Sequence, residues 1–270
     1  MSAKPHLGAI QETLLIPLYG RANDARRKNS ILHDTTAAEM VDSLDYDFDQ
    51  HDTRNTTGSV WRASIFDQFV RDFLTDHPDG TVVDLGCGLS TRSDRLDNGT
   101  AHWIDLDVAD SIALRRNFFD DSDRYTMIAG SIFDTEWYDR IPREQPTLLL
   151  SEAVLLYFPE DQVHSALRSI STAFPGAHLA FDTAGKAMFE AQDKTKVYDS
   201  LSARFHWQCD DPATLQQFGL RLTSSYSFGT PPPTVTRTWP ALHRYGIKLV
   251  GRFPMSKSYR FTLFECTPAR

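Results

Sequence analysis

The chain has 270 residues, of which 41% are apolar and 24% are charged. This is enough for one large α/β domain or two small ones, with a full-sized hydrophobic core. The formal net charge is −8. Because a general nucleic-acid binder gains affinity from Lys and Arg against phosphate, this acidic balance argues against that class, and we expect no nucleic-acid partner.

The three cysteines, Cys87, Cys209 and Cys266, are far apart and show no CxxC spacing, so a disulfide framework or a zinc site is not expected. The first residues lack the apolar run of a signal peptide. No stretch approaches the roughly 18 apolar residues of a membrane span. We therefore predict a reduced, cytoplasmic protein with no metal and no membrane partner, while the oligomeric state stays open.

The first 80 residues have helical patterns. The clearest covers residues 60–74, where Phe66, Phe69 and Phe73 form one apolar stripe. After residue 80, short apolar runs alternate with amphipathic stretches at 90–96, 108–119 and 160–174. The predicted strands are 81–85, 101–104, 125–129, 147–151, 178–182, 220–228 and 259–267.

This alternation implies βαβ units and a mostly parallel sheet. The two late strands predict an antiparallel hairpin at the sheet edge. We predict one α/β domain, with a helical cap over 1–80, a ligand-binding core over 81–183, and insertions with the final strands over 184–270. Residues 184–218 are expected to form a helical or loop insertion, and residues 229–258 to be partly helical around 239–245.

The segment VVDLGCGLSTR, residues 82–92, follows the pattern of a buried strand that turns sharply into a helix. Gly86 and Gly88 stand where the backbone bends and where a ligand can lie against it. Ligands of open parallel sheets bind at the carboxyl ends of the strands, which places a site at residues 84–89, beginning with Asp84. Thr91 replaces the third glycine of a dinucleotide fingerprint, which weakens a pyrophosphate interpretation. The alternative is an ordinary turn.

In the next segment, HWIDLDVAD, an apolar run ends at Asp105, and Asp107 follows two residues later. An acid at the end of the second strand can accept both ribose hydroxyls of a nucleoside, and either residue fits. The alternative is that Asp107 caps the following helix. Nicotinamide cofactors and S-adenosylmethionine share this feature, so it does not separate them.

Two further charges lie at informative positions. Glu152 follows a central strand in LLLSEAVLLYFPED, where it could pair with an ammonium group; the alternative is a surface glutamate. Arg62 lies on the apolar stripe of the 60–74 helix, where an unpaired charge is costly. It could clamp a carboxylate bidentately, or form a structural salt bridge with Asp67 or Asp84.

Together these segments resemble the leucine carboxyl methyltransferase-like family, which includes protein phosphatase methyltransferases and polyketide O-methyltransferases of bacteria. The matching stretches are LLIPLYGRA, SILHDTTAAEMV, VWRASIFDQFVRDFL, VVDLGCGLSTRSDRL, HWIDLDVADSIALRRNFF and LLLSEAVLLYFPEDQVHSAL. The resemblance implies a Rossmann-like class I methyltransferase fold, seven strands with an antiparallel edge pair, and S-adenosyl-L-methionine as methyl donor.

The resemblance also implies roles in binding that cofactor. Arg62, helped by Arg21, would hold the methionine carboxylate, and Glu152 would meet the amino group. Gly86 and Gly88 would line the methionine and ribose, with Asp105 or Asp107 on the ribose. Where many relatives carry an acidic residue beside the adenine, this chain has GSIFD, so we expect Ser131 or Ile132 to border the ring.

The acceptor pocket is expected to come from residues 184–218 and 229–258, with Tyr19 and Tyr157 at its border or, alternatively, in the core. A carboxylate acceptor, with a pKa of about 4, needs no base. A phenol, with a pKa of about 10, would benefit from one, and His206 is the candidate, unless it is an ordinary surface histidine.

We predict an O-methyltransferase that acts on a small-molecule carboxylate or hydroxyl in secondary metabolism, such as polyketide synthesis. The alternatives are a protein C-terminal carboxyl methyltransferase, a nicotinamide-dependent oxidoreductase and a non-catalytic cofactor-binding protein of the same fold.

Overall fold

The computed structural model describes residues 14–48, 56–194 and 204–267, and in these residues seven strands form one mixed sheet. The strands are β1 Thr81–Leu85, β2 His102–Asp107, β3 Tyr125–Ala129, β4 Thr147–Ser151, β5 His178–Ala184, β6 Leu220–Ser227 and β7 Tyr259–Cys266. Their order is β3-β2-β1-β4-β5-β7-β6. Strands β1 to β5 pair in parallel, and β7 pairs antiparallel with both β5 and β6. This confirms the predicted mostly parallel seven-stranded sheet with an antiparallel edge pair.

The central strands β1 and β4 are buried along their whole length, which explains their continuous apolar runs. Strand order reverses between them, because β2 and β3 lie beyond β1 while β5 lies beyond β4. In an open α/β sheet, such a reversal opens a crevice at the carboxyl ends of the strands. The structure therefore places the glycine segment after β1 and Glu152 after β4 on the two sides of that crevice.

Ten α-helices occur among the described residues. They are α1 Leu15–Ala25, α2 Thr35–Ser43, α3 Thr57–Asp76, α4 Arg92–Leu96, α5 Ala109–Arg115, α6 Glu160–Ala173, α7 Lys186–Lys194, α8 Pro233–Thr238, α9 Ala241–Val250 and α10 Pro254–Ser258. Three short 3₁₀ helices cover Tyr138–Arg140, Leu155–Tyr157 and Pro212–Phe218.

The structure corrects several predicted boundaries. Strand β2 runs three residues past the predicted end at 104, because its ladder with β3 continues to the pair Asp107 and Ala129. Helix α5 is shorter than the predicted 108–119. In the insertion, α7 and the last 3₁₀ helix are separated by residues 195–203, which lie outside the described residues. Residues 229–258 hold three helices, and the joint between the first two contains Trp239 and Pro240.

The hydrophobic core lies on both faces of the sheet. Helix α6 covers one face with Val163 and Leu167, and α3 covers the other with Ile65, Phe66 and Val70. A third cluster joins α1 and α2 to Leu89 in the glycine segment. Among the residues that the structure describes, no helix is long and apolar enough to span a membrane.

Candidate active site

The glycine segment after β1 bends in a conformation that requires glycine. Gly86 has φ +76° and Gly88 has φ +51°, both in the left-handed region. A Cβ atom on Gly86 would lie 2.4 Å from Cγ2 of Val154, so no larger residue fits there. The amides of Gly86 and Cys87 donate to the Leu106 carbonyl at 2.7 and 3.1 Å. The loop is thus fixed against β2 with its backbone open to the crevice.

The two acids of β2 have different surroundings. Asp105 is buried and accepts hydrogen bonds from the Arg115 guanidinium and from the Tyr125 hydroxyl, the latter at 2.6 Å. These partners already engage its carboxylate, so its position favours a structural role.

Asp107 is half-buried at the carboxyl end of β2 and accepts from the amides of Gly88 and Val108, both at 2.7 Å. Burial raises its pKa despite these bonds. Helix α5 begins at Ala109, with Val108 as its N-cap residue and no side-chain cap, so Asp107 is not the helix cap. Of the two acids, Asp107 is the one whose carboxylate touches the glycine loop.

Opposite charges meet across the crevice at Glu152. The Arg62 Nε donates to Glu152 Oε1 at 2.7 Å, and an Arg92 terminal nitrogen donates to Glu152 Oε2 at 2.5 Å. Burial alone would raise the pKa of Glu152, but the two guanidinium groups hold it below its ordinary value. Glu152 is therefore not a surface residue, and the acid that pairs with Arg62 is neither Asp67 nor Asp84.

Arg92 connects three elements around this pair. Its guanidinium contacts Asp67 of α3 at 3.1 Å, Asp84 of β1, and Glu152. Burial raises the pKa of Asp84 to about 6, even though Arg92 lowers it. Sequence reasoning did not assign Arg92 a role. The sequence signal for it was Asp67, which lies between the core residues Phe66 and Phe69. A carboxylate at such a position needs a buried cation as its partner.

Arg21 is buried beside the glycine segment rather than against Glu152. Its Nε donates to Asp34 at 2.9 Å, and a terminal nitrogen donates to the Leu89 carbonyl at 2.6 Å. Asp34 also accepts from the Thr91 hydroxyl at 2.6 Å. These contacts tie α1 to the loop, so the geometry favours Arg21 as a positioning residue.

Ala153, directly after Glu152, has φ +55°, which is unusual for a residue with a side chain. Its amide donates to both carboxylate oxygens of Asp182, at 2.9 and 3.1 Å, and the Tyr259 hydroxyl donates to the same carboxylate. Burial raises the pKa of Asp182 to about 6. Asp182 and Tyr259, which sequence reasoning missed, hold the backbone that orients Glu152.

The residues expected beside an adenine lie after β3. Ile132 is buried in the core cluster on the α6 face, whereas Ser131 is half-buried. The Ser131 amide donates to Asp134 at 3.1 Å, and its hydroxyl accepts from the Phe133 amide at 3.2 Å. Ser131 is thus more accessible than Ile132 at this edge.

The expected acceptor-side residues differ in their surroundings. Tyr19 is buried on α1 and stacks on Phe48, with ring centroids 5.2 Å apart. Tyr157 is half-buried, with its ring 5.4 Å from that of Phe205. His206 is exposed, and its backbone amide donates to the Leu156 carbonyl. An exposed imidazole is not a desolvated base, so the geometry does not favour His206 as a general base.

Comparisons with known proteins identify the family of the chain. The family model "Leucine carboxyl methyltransferase" matches residues 15–171. The tetracenomycin polyketide synthesis O-methyltransferase TcmP of Streptomyces glaucescens is 33% identical over 226 residues, covering 82% of this chain and 84% of that protein. The S-adenosyl-L-methionine-dependent methyltransferase dpfgK of Gibberella zeae is 32% identical over 237 residues, covering 79% and 80%.

Among solved structures, a DUF574 family protein from Streptomyces avermitilis has a TM-score of 0.57 at 12% identity, covering 93% of this chain and 97% of that chain. An S-adenosylmethionine-dependent methyltransferase from Anabaena variabilis has a TM-score of 0.50 at 13% identity, covering 76% and 86%. These likenesses show the fold, that of class I methyltransferases. The sequence matches show more: the chain belongs to the leucine carboxyl methyltransferase family and is an S-adenosyl-L-methionine-dependent methyltransferase.

Proposed function

We propose that this chain methylates an oxygen atom, a carboxylate or a hydroxyl, of a small-molecule acceptor in secondary metabolism. The observation that carries the proposal is the pairing of Arg62 with Glu152 at the reversal point of the sheet. A cation and an anion side by side complement the amino-acid end of the cofactor. The polyketide O-methyltransferase named above, which is similar over most of the chain, supports the acceptor class.

The residues at the crevice fit S-adenosylmethionine by charge and by space. Arg62 reaches Glu152 through Nε, so the fork of its terminal nitrogens can address the methionine carboxylate. Glu152 can meet the amino group while Arg92 still neutralises it. Asp107 would accept the ribose hydroxyls, and the Gly86 and Gly88 backbone leaves the space that a side chain would fill.

Three further residues would support the cofactor site. Ser131 would border the adenine, because Ile132 is turned into the core. Arg21 would hold the loop through Leu89, and Asp84 would hold Arg92. We propose the same division of the chain as the sequence predicted, with residues 81–183 as the cofactor-binding core and Arg62 reaching the cofactor from the helical cap.

When bound, the cofactor supplies a methyl group already activated by its sulfonium. The protein mainly has to align the acceptor oxygen and exclude water, and orientation alone can contribute about 7–11 kcal/mol. A carboxylate acceptor arrives deprotonated near neutral pH and needs no base. We favour a carboxylate acceptor, because His206, the candidate base for a phenol, is exposed.

The first experiment separates the cofactors. Thermal-shift and calorimetric titrations with S-adenosylmethionine, S-adenosylhomocysteine and NAD(P) should show binding of the first two. Turnover is then measured on a panel of aromatic carboxylic acids, phenols and a peptide with a free C-terminal carboxylate. Methylation of the peptide alone would contradict the small-molecule proposal, and binding without any turnover would favour a non-catalytic protein.

A second experiment tests the roles of the charged pair. Loss of a charge-assisted hydrogen bond costs about 1.5–3 kcal/mol, so Arg62→Ala should weaken S-adenosylhomocysteine binding by about 10- to 100-fold. Arg71→Ala is the matched control, since Arg71 lies on the same helix and is exposed. If Arg62→Ala stays folded and binds as tightly as the control, the carboxylate role of Arg62 is wrong.

A further inference from the structure

Residues 229–258, which connect β6 to β7, have a charge unlike that of the rest of the chain. They contain five Lys and Arg residues and no Asp or Glu, whereas the remainder of the chain has thirteen more acidic than basic residues. The five basic residues are Arg237, Arg244, Lys248, Arg252 and Lys257, and all five side chains are exposed. The connection is therefore a basic surface on an acidic protein.

The same connection carries the large exposed apolar side chains found among the residues that the structure describes. Leu242, Tyr245, Leu249 and Phe253 are 80%, 73%, 60% and 56% exposed. The first three lie on α9 at i, i+3 and i+7, within one sector roughly 60° wide, and Phe253 follows after the helix ends. We call these four residues the α9 apolar face.

A basic row runs beside this face. Arg244 and Lys248 occupy the neighbouring sector of α9, and Arg252 follows at the same four-residue spacing just after the helix ends. The remaining sector, with His243 and Ile247, is buried against the protein. Helix α9 thus has one face that packs on the fold, one apolar face in solvent and one basic face in solvent.

The buried sector fixes the orientation of the helix. The Trp61 Nε1 donates to His243 Nδ1 at 3.2 Å, and the Trp61 ring stacks on Trp239, with centroids 5.8 Å apart. Trp61 is on α3, next to Arg62. The α9 apolar face is therefore held outward by contacts on a rigid helix, so rotation of α9 cannot readily bury it.

A second copy of the chain is a poor occupant of this face. The four side chains expose roughly 500 Å² in total, less than the ~800 Å² per partner of a standard stable interface. A two-fold symmetric contact pairs the same patch with itself. Two antiparallel α9 helices would then place the basic rows of Arg244, Lys248 and Arg252 against each other.

An anionic lipid surface fits both the charge and the shape. Interfacial helices insert Leu and aromatic side chains about 5–10 Å into the headgroup region, while Lys and Arg contact the anionic headgroups. Because lipid adapts to a convex helix, no complementary groove is needed. The acidic remainder of the protein would be repelled by the same surface, which favours a single orientation.

We propose that the α9 apolar face and its basic row rest on an anionic lipid surface. The expectation of no membrane partner rested on the lack of a spanning segment, and a helix that lies in the interface needs none. The proposal goes beyond methyl transfer and does not rest on it, because lipid association is measured without cofactor or acceptor.

The test is flotation of the full chain with vesicles of equimolar phosphatidylcholine and phosphatidylglycerol, and with vesicles of phosphatidylcholine alone. We expect association with the anionic vesicles at low salt, weakened by added salt. The double variants Leu242→Ser with Leu249→Ser, and Arg244→Glu with Lys248→Glu, should each bind about tenfold or more weakly. Arg71→Glu with Arg140→Glu has the same change in net charge away from the face, and it should bind as the wild type does.

Thermal unfolding of each variant checks that it is folded, and light scattering reports the oligomeric state. Lack of association of the wild type with anionic vesicles at low salt would overturn the proposal. So would equal binding to neutral vesicles, equal weakening by the control variant, or a dimer that Leu242→Ser with Leu249→Ser converts to a monomer. The last result would assign the face to a second copy.

Discussion

The molecule has an ionic side and an aromatic side around α3, and they are held together by different forces. On the side of β1, β2 and α4, buried guanidinium groups contact buried carboxylates, as Arg92 contacts Asp67, Asp84 and Glu152. On the side of β7 and the helices before it, aromatic rings stack. Trp61 lies on Trp239, and the Phe228 and Tyr259 rings stack at 5.6 Å between centroids.

This difference indicates which kind of ligand each side is suited to bind. A buried ion tolerates little change, because any loss of its partner leaves an uncompensated charge. The ionic side therefore suits a ligand of fixed charge pattern, such as the cofactor. Aromatic packing tolerates changes of shape when volume is kept, and we propose that this side faces the acceptor. The family model matches 15–171, which contains the ionic side and ends before β6 and β7.

The largest expected effect tests the ionic side. Arg92→Met removes the cation shared by three buried carboxylates, and we expect the free energy of unfolding to fall by about 3–5 kcal/mol in urea denaturation. The matched control is Arg124→Met, which removes an exposed pair with Asp97 and should cost less than about 1 kcal/mol. Similar losses of unfolding free energy in both variants would show that the buried ion pairs stabilise the fold no more than an exposed pair does.

An intermediate effect tests the aromatic side. Trp239→Phe replaces the indole that stacks on Trp61 with a smaller ring. We expect the free energy of unfolding to fall by about 2 kcal/mol. The KM for the acceptor should change while the Kd of S-adenosylhomocysteine stays within about twofold. A larger change in the cofactor Kd than in the acceptor KM would break the proposed division between the two sides.

The smallest effect lies at the boundary, where Asp182 joins Ala153 of the ionic side to Tyr259 of the aromatic side. Burial raises the pKa of Asp182 from 3.8 to about 6, so the folded protein binds a proton that the unfolded chain releases. This proton's contribution to stability is full below about pH 4 and is lost as the pH rises through about 6.

Asp182→Asn removes that ionisation. The free energy of unfolding of the variant, relative to the wild type, should therefore be higher at pH 8 than at pH 5, by about 1.4 kcal/mol. Urea denaturation at the two pH values measures this difference. A difference that does not change with pH would mean that Asp182 has an ordinary pKa in the folded protein.

The sequence by itself determined the sheet, the glycine turn and the edge of the sheet at which the site lies. Strands β1 and β4 have continuous apolar runs, and Gly86 and Gly88 have the positive φ that the turn after β1 requires. These are local requirements, and a local pattern records them. Glu152 was found for the same reason, because it follows a strand directly.

Only the tertiary structure decided which charges meet. The sequence left Asp105 and Asp107 equivalent, yet Arg115 and Tyr125 engage the first while the second contacts the glycine loop. It also gave no sign that α9 would leave an apolar face in solvent beside a basic row. The partner of a buried charge, and the face by which a helix packs, depend on elements far away in the chain, and no local spacing encodes them.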